Sequence, residues 1–434
     1  MTDFDVILVG GGLSASLIAH RLVLSGGRGT RTRVLIVEAA DTLCGNHTWS
    51  FHATDVSAAQ DQWLGPLTSV AWPEQATRFP HYERTLDIGY RAIASRELAA
   101  KIAARDEISI ITGARATTLG DDHVVLAGGQ SISAPCVIDC RGAVSAPALT
   151  VGFQKFVGLE VELIEPHRLA RPIIMDARVT QIDGYRFVYL LPFSPTRLLV
   201  EDTYYADRAR LDVDEITKRI DAYIADAGWR VRRVERTETG VLPIVLDGAL
   251  DDVWASDARI ARAGMRAGLF HQTTGYSLPL GAETADRLAA VPILTTASAH
   301  ATIRGLAEAT WREQRYFRML NRTMFVAPEA LKRRRIFERF YTLGPGLIGR
   351  FFAGRLRARD KVRLLTGKPP VPMLAAFRSF HPASARVWAE QRDAVGADMR
   401  ARDGFFAAAG ATAPHAMTGQ RPRALDANAL PPAE

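Results

Sequence analysis

A glycine turn wedged between an apolar strand and an apolar helix sets the tightest constraint on this chain. Residues 4–9 form an apolar strand pattern, Gly10-Gly11-Gly12-Leu13-Ser14-Ala15 follows at once, residues 13–24 carry helical spacing, and residues 34–37 read as a second buried strand, with Glu38 just beyond it. This fits G-x-G-x-x-G/A inside a βαβ unit, which seats a pyrophosphate at a helix N-terminus. Gly10 permits the tight turn, Gly12 lets the backbone approach the phosphates, and Ala15 permits close packing of helix on strand. The helix start offers N–H groups and the positive end of a dipole. Glu38 is placed to accept the ribose hydroxyls of an adenosine, which disfavours a 2′-phosphorylated nucleotide there. The motif lies near residue 1 and a second glycine-rich helix start occurs far downstream, which favours FAD over NAD. Arg96, inside a helix that Ser95 is expected to cap, is either a phosphate contact or a solvated helix arginine.

The rest of the chain predicts an α/β protein: a dinucleotide-binding, Rossmann-type domain interrupted by a mixed β-sheet domain, with a helical C-terminal region. At about 100–200 residues per domain, 434 residues allow two to four. We assign 1–150 together with 255–295 to the dinucleotide domain, 151–254 to a substrate sheet, 296–406 to helices and 407–434 to a mobile tail. Residues 41–90 read as mixed loop. The three cysteines, Cys44, Cys136 and Cys140, are too few for a disulfide scaffold. No apolar run approaches the length of a membrane span, and the first ten residues enter a strand without a signal-peptide pattern. The expectation is a cytoplasmic protein with reduced thiols. No metal-ligand spacing is present.

The second glycine segment, 268–281, precedes a helix. Backbone N–H groups of Gly275, Tyr276, Ser277 and Leu278 are expected to face an anion, such as the pyrimidine edge of a reduced flavin. His271 contacts the flavin or hydrogen-bonds the loop. Upstream, residues 187–205 form a hairpin around the turn Ser194-Pro195-Thr196-Arg197. Strand alternation puts Leu199, Glu201 and Thr203 on one face and Val200, Asp202 and Tyr204 on the other. Only one of Glu201 and Asp202 can face a buried cavity. A carboxyl among Phe187, Tyr189, Leu191 and Leu199 loses hydration and stays protonated near neutrality, a Brønsted acid facing an apolar space. The alternative is an edge-strand carboxylate at the surface.

Charge is uneven. The whole chain carries +7, yet residues 311–368 alone hold 16 Lys/Arg against 4 Asp/Glu. The run Lys332-Arg333-Arg334-Arg335 sits there, with Phe337, Phe340, Tyr341, Phe351 and Phe352 between cations. This is either a solvated helical face or a patch for anionic membrane, with apolar groups entering the acyl boundary. Nucleic acid is disfavoured because no binding motif accompanies the charge.

Taken together, these residues resemble the bacterial CrtY-type lycopene β-cyclases over nearly the whole chain. The resemblance rests on residues 6–22, on Gly45-Asn46-His47-Thr48-Trp49-Ser50-Phe51-His52, on residues 137–142 and 152–158, and most specifically on Leu199-Val-Glu-Asp-Thr-Tyr204 and Thr273-Thr-Gly-Tyr-Ser-Leu-Pro279. It implies a FAD enzyme that closes the ψ-end groups of lycopene and related C40 carotenoids to β-ionone rings. That reaction has no net redox change, runs on reduced flavin, and draws on NAD(P)H as reductant. It places the acidic motif on Glu201 and Asp202 and implies a peripheral location on the inner face of the cell membrane. Two departures stand out: Ala15 replaces the third glycine, and Gln272 stands where related flavoproteins often place proline. The rivals are a flavin monooxygenase or isoprenoid reductase of the same fold, and a non-catalytic carotenoid carrier. The first normally carries Gly-Asp at the second segment, where this chain has Gly268-Leu269. Product range and oligomeric state are not legible.

Overall fold

The computed structural model describes residues 4–26, 32–142, 148–254, 259–367 and 371–395. The tail assigned to 407–434 lies outside them. A five-stranded parallel sheet runs in the order Ala261–Arg262, Cys136–Asp139, Val6–Val9, Val34–Val37, Ile108–Ile111. Its central strands, VILV and VLIV, are buried on both faces, as parallel strands covered by helices must be. The chain leaves this sheet after Asp139 and returns to its edge at Ala261–Arg262. A three-stranded antiparallel sheet, Ala116–Leu119, His123–Leu126 and Ser131–Ser133, packs against the same core.

The second large sheet has seven strands in the order Val231–Asp247, Thr150–Leu163, Arg197–Ala206, Tyr185–Pro192, Ile173–Asp176, Gln75–Phe79, Tyr82–Leu86. Two of these come from the stretch expected to be loop. Residues 41–90 also supply Thr48–His52 and Val70–Trp72, which pair with Tyr90–Ala94 at the end of that stretch in a further three-stranded sheet. These strands are short and interrupted by polar turns, and they find their partners in distant sequence, so periodicity alone did not reveal them.

The helix Val213–Asp226 lays Ile216, Ile220 and Ile224 on one face of the seven-stranded sheet. The other face carries Tyr185, Phe187, Tyr189, Leu191 and Leu199, and the C-terminal helices cover it with Phe317, Phe325, Phe337, Tyr341, Phe351 and Phe352. Tyr185 stacks on Phe337 with centroids 4.2 Å apart. The aromatic residues of the basic segment therefore point inward. Gly152 admits this covering layer, because a Cβ there would lie 2.3 Å from the Phe325 ring.

Arg333, read from sequence as part of an exposed basic run, is 1% exposed. Its guanidinium donates to the carbonyls of Met324 (3.2 Å), Tyr205 (3.1 Å) and Phe325 (3.2 Å), and it pairs with Asp207. It ties the covering helices to the acidic strand. Arg335 in the same run is exposed. Removing one member of a buried, multiply bonded pair costs about 3 kcal/mol or more. Arg333→Met is expected to lower the thermal midpoint by several degrees and Arg335→Met to leave it unchanged; equal midpoints for the two variants would show that the buried guanidinium is not a tie.

Candidate functional site

Two glycine segments converge on one spot. Gly10 adopts φ +98°, and a Cβ there would lie 2.8 Å from the backbone of Arg141. Gly12 differs: a Cβ built on it meets nothing within 4 Å, so the backbone faces open space. Gly12 is also the N-cap of the helix Leu13–Ser25 and supplies no side chain to its N–H groups. Ala15 is fully buried. Glu38 accepts from the Gly11 N–H (2.6 Å) and the Ala40 N–H (2.7 Å), which fixes its carboxylate against the turn.

The second segment docks onto this helix. Gly264 (φ +66°) abuts Ser14, Gly281 lies over Leu17, and Arg21 pairs with Asp286 at 2.6 Å. The contacts advance together along both chains, so Leu13–Ser25 and Leu278–Ala289 run in the same direction and open their N-termini to one side. Ser277 caps the second helix without a side-chain bond. Asp139 clamps the junction: it binds Arg141 (2.9 and 2.7 Å) and Arg266 (2.7 Å). Burial alone would raise its pKa, but these two guanidiniums outweigh burial and hold the carboxyl below its usual range. An open backbone at Gly12, two uncapped helix starts and a carboxylate at the end of the second strand are the features an adenine dinucleotide requires.

Part of the anticipated anion cradle is used elsewhere. The Gly275 N–H donates to the His271 carbonyl (2.8 Å) and the Tyr276 N–H to Thr274 Oγ1 (3.3 Å). Gly275 takes φ +73° in this turn, so its glycine serves the loop. Ser277 and Leu278 keep the helix-start position. His271 is buried, its Nε2 donates to the Phe351 carbonyl (3.0 Å), and its Nδ1 accepts from the Thr273 N–H (3.3 Å). Burial pushes its pKa down to about 4, so it is a neutral link between loop and covering helices. Ser95 does not cap its helix; Ala94 does, and the Ser95 Oγ accepts from the His47 N–H (3.1 Å). Arg96 is exposed on the first turn of that helix. Gln272, at the proline position, donates its N–H to Gln314 Oε1 (2.7 Å) and receives Arg318 on its own Oε1 (2.8 Å). A proline has no N–H to make the first bond. Leu269 is fully buried in the core, where an aspartate would be costly.

On the seven-stranded sheet, register separates the two acidic residues. Asp202 faces the helix Val213–Asp226, where it binds Arg186 Nε (2.9 Å) and the Tyr204 hydroxyl (2.8 Å). The structure does not bring it together with Glu201, and its contacts make it a buried ion pair under the helix. Burial raises its pKa although Arg186 opposes this. Glu201 lies on the aromatic face and accepts a hydrogen bond from Thr203 Oγ1 at 2.7 Å. Burial, followed by the field of Glu238, pushes its pKa up to about 8.

Sequence reasoning missed the neighbours that complete this site. Tyr189, Glu201, Gly158 and Glu238 are successive register partners across four strands. The Tyr189 hydroxyl donates to Tyr90 (2.8 Å), whose hydroxyl lies 3.4 Å from that of Tyr276. A phenol chain thus runs from beside Glu201 to the second glycine segment. The signal available in the sequence was Gly158 inside a strand, a mark of close approach.

An acid whose pKa is about 8 when folded and near 4.5 when unfolded opposes folding between those values. Over that window only the folded state holds the proton, so stability falls as pH rises, by up to about 1.4 kcal/mol per pH unit. Glu201→Gln removes this slope. The variant is expected to match the parent near pH 4.5 and to exceed its thermal midpoint increasingly toward pH 8; parallel midpoint–pH curves would contradict a protonated Glu201.

Residues 5–378 match the family model described as "Lycopene cyclase protein". The chain is 46% identical over 377 residues to "Lycopene beta-cyclase" of Pantoea ananas, covering 87% of this chain and 98% of that protein. It is 43% identical to the protein of the same name from Paracoccus sp., with 86% and 96% covered. Among solved structures, a flavin-dependent brominase superposes with a TM-score of 0.53 at 12% identity, covering 91% and 100% of the two chains. A geranylgeranyl bacteriochlorophyll reductase-like protein from Thermoplasma acidophilum gives 0.50 at 12%, covering 89% and 98%, and both likenesses bear on the fold alone. By sequence, this chain belongs to the lycopene cyclase family.

Proposed function

We propose that the protein is a lycopene β-cyclase, a non-redox isomerase that uses Glu201 as its acid. The observation that carries this is a carboxyl buried on a sheet face beneath an aromatic layer, where burial pushes its pKa up to about 8. Glu201 donates its proton to the terminal double bond of a ψ-end group, leaving a tertiary carbocation. The neighbouring double bond attacks that cation and closes the six-membered ring. Return of one ring proton to the protein, for the one that Glu201 gave, restores both neutrality and the acid, so the product is an isomer. Phe187 and Tyr189 present ring faces that favour a cation. Their packing against Tyr90 and the covering helices excludes the water that would trap the cation as an alcohol.

FAD fits the residues present: Gly10, Gly12, Ala15 and Glu38 would hold its adenosine diphosphate, and Ser277 and Leu278 would face its ring. Bound in its reduced, anionic form, FAD would supply negative charge that stabilises a cationic end group, with NAD(P)H as the source of electrons. In anaerobic incubation with lycopene, FAD and NADPH, the parent protein is expected to form cyclised pigment of unchanged mass. Glu201→Gln is expected to lose this activity at least a thousandfold while retaining bound FAD, measured by pigment chromatography and flavin absorbance. Cyclisation by that variant would refute the acid assignment, and lycopene returned unchanged by the parent would favour a carrier.

Lycopene resides in membrane, and no helix among the described residues is long and apolar enough to cross one. We place the docking surface on the short helices Ala358–Leu365 and Met373–Ser379, which expose Val362, Leu365, Met373, Leu374 and Phe377. Both pack on the helix Arg315–Val326, through Tyr316 to Lys361 and through Thr323 to Ser379. Arg359, Arg363 and Arg378 flank the apolar side chains and complement anionic headgroups. A groove of about 600 Å³, lined by Ile88, Pro345, Gly349, Arg350, Ala353 and Arg357, opens beside the helix that carries Phe351 and Phe352. Leu374→Glu with Phe377→Glu is expected to reduce sedimentation with anionic vesicles at least tenfold and to leave folding intact; unchanged sedimentation would move the contact elsewhere.

A further inference from the structure

Glu201 and Glu238 stand on opposite sides of Gly158 in the sheet. Gly158 is the register partner of Glu201 on one side and of Glu238 on the other, so all three occupy one face. Gly158 has no side chain to part the two carboxyls, and even a Cβ there would come within 3.4 Å of the Glu201 Cβ. Both residues are buried. Two carboxylates cannot readily share such a space, so the pair retains a proton.

Burial pushes both carboxyls up, Glu238 included, with Arg236 and Thr48 opposing this at Glu238, so the hydrogen-bond donors decide which member keeps the proton. Glu238 accepts from the Thr48 N–H (2.8 Å), the Thr48 hydroxyl (3.0 Å) and Arg236 Nη1 (3.0 Å). Arg236 is itself braced by Glu160 (2.7 Å) and Asn46 (3.0 Å). Among the described residues, Glu201 accepts only from Thr203 Oγ1. A guanidinium and a backbone N–H stabilise charge where a lone hydroxyl does not. The other groups around Glu201 leave this order unchanged. Tyr189, Tyr90 and Tyr276 are neutral phenols whose pKa values burial raises. Asp202 lies on the opposite face, bound to Arg186. Arg236 opposes proton retention by Glu201, but among the described residues its bonds go to Glu160, Glu238, Asn46 and the Thr48 hydroxyl and not to Glu201.

We propose that Glu238 is a positioning residue: the fixed anion of a carboxylate dyad that keeps the proton on Glu201. Nothing about Glu238 requires it to touch substrate. The strand motif Thr237-Glu238-Thr239 and the Asn46–Thr48 segment then share one task, holding a negative charge two strands away from the acid. The inference rests on Glu201 being the acid, and the two can fail separately.

The test is the pH profile of kcat for lycopene cyclisation by the FAD-loaded protein on vesicles, with the parent, Glu201→Gln, Glu238→Gln and Thr48→Val compared. The parent is expected to lose activity on the alkaline side as Glu201 ionises. In Glu238→Gln that limb is expected to move at least one unit toward acid, so that activity falls about fivefold or more at pH 8 but little at pH 6. Thr48→Val, which keeps every charge and removes a hydroxyl that donates to Glu238 and accepts from Arg236, is expected to move the limb in the same direction by less. A uniform loss in Glu238→Gln, with the limb unmoved, would make Glu238 a structural ion-pair partner and overturn the inference. Should Glu238→Gln not fold, an unmoved limb in Thr48→Val overturns it equally. Activity in Glu201→Gln would instead remove the acid on which the inference rests.

Discussion

The strand register at Gly158 is the constraint on which the site depends. Three long antiparallel strands, Val231–Asp247, Thr150–Leu163 and Arg197–Ala206, stay in step across the sheet through that position. Strands two apart in a sheet are separated by about 10 Å, normally filled by the side chain between them. A glycine there removes the filling and lets two acidic side chains lean into one low-dielectric space. A one-residue slip in either ladder would turn one carboxyl to the opposite face. The ladder length guards against that, since a slip would also expose the apolar set that packs on the helix Val213–Asp226.

The C-terminal helices answer the same need. A neutral acid remains neutral only where water is scarce, and the sheet face that carries Glu201 is roofed by aromatic rings from residues 317–352. The cations of that segment divide by position. Arg333 is drawn inside, where three carbonyls and Asp207 receive it. Arg318 and Arg322 reach buried carbonyls at the back of the second glycine segment and the sheet. Arg335, Arg359 and Arg363 stay at the surface. High positive charge in the sequence therefore has two causes, carbonyl capping inside and a cationic exterior. Composition cannot separate them, because both use arginine among aromatic residues.

What was legible in the sequence was local. The glycine turn, the Glu38 position, the alternation that splits Glu201 from Asp202 and the glycine-bearing start of the later helix are each short patterns, read within about 30 consecutive residues. What was not legible was partnership between distant segments. Glu238 lies 37 residues beyond Glu201, and no periodicity reports that Gly158 stands between them. The strands at residues 48–94 escaped notice for the same reason. Gly275 was read as an approach point for a ligand, whereas its positive φ closes a turn onto the His271 carbonyl. A glycine in sequence signals a conformation, and only the fold shows whether a ligand or the chain itself needs it.

Electrostatics links the two halves of the molecule. The parallel helices Leu13–Ser25 and Leu278–Ala289 turn two positive dipole ends to one side and invite negative charge there. The phenols of Tyr276, Tyr90 and Tyr189 lead from that region to the Glu201 row without a charged group among them. Under the proposed mechanism, an anion bound at the helix starts would act on Glu201 in the same sense as the anion proposed at Glu238, opposing ionisation of the acid until a cation forms nearby. Negative charge fixed on both sides of a neutral proton donor costs little while the substrate is an uncharged hydrocarbon. It becomes stabilising when the proton moves and the hydrocarbon turns cationic, which is the differential between ground and transition state that a catalyst must supply.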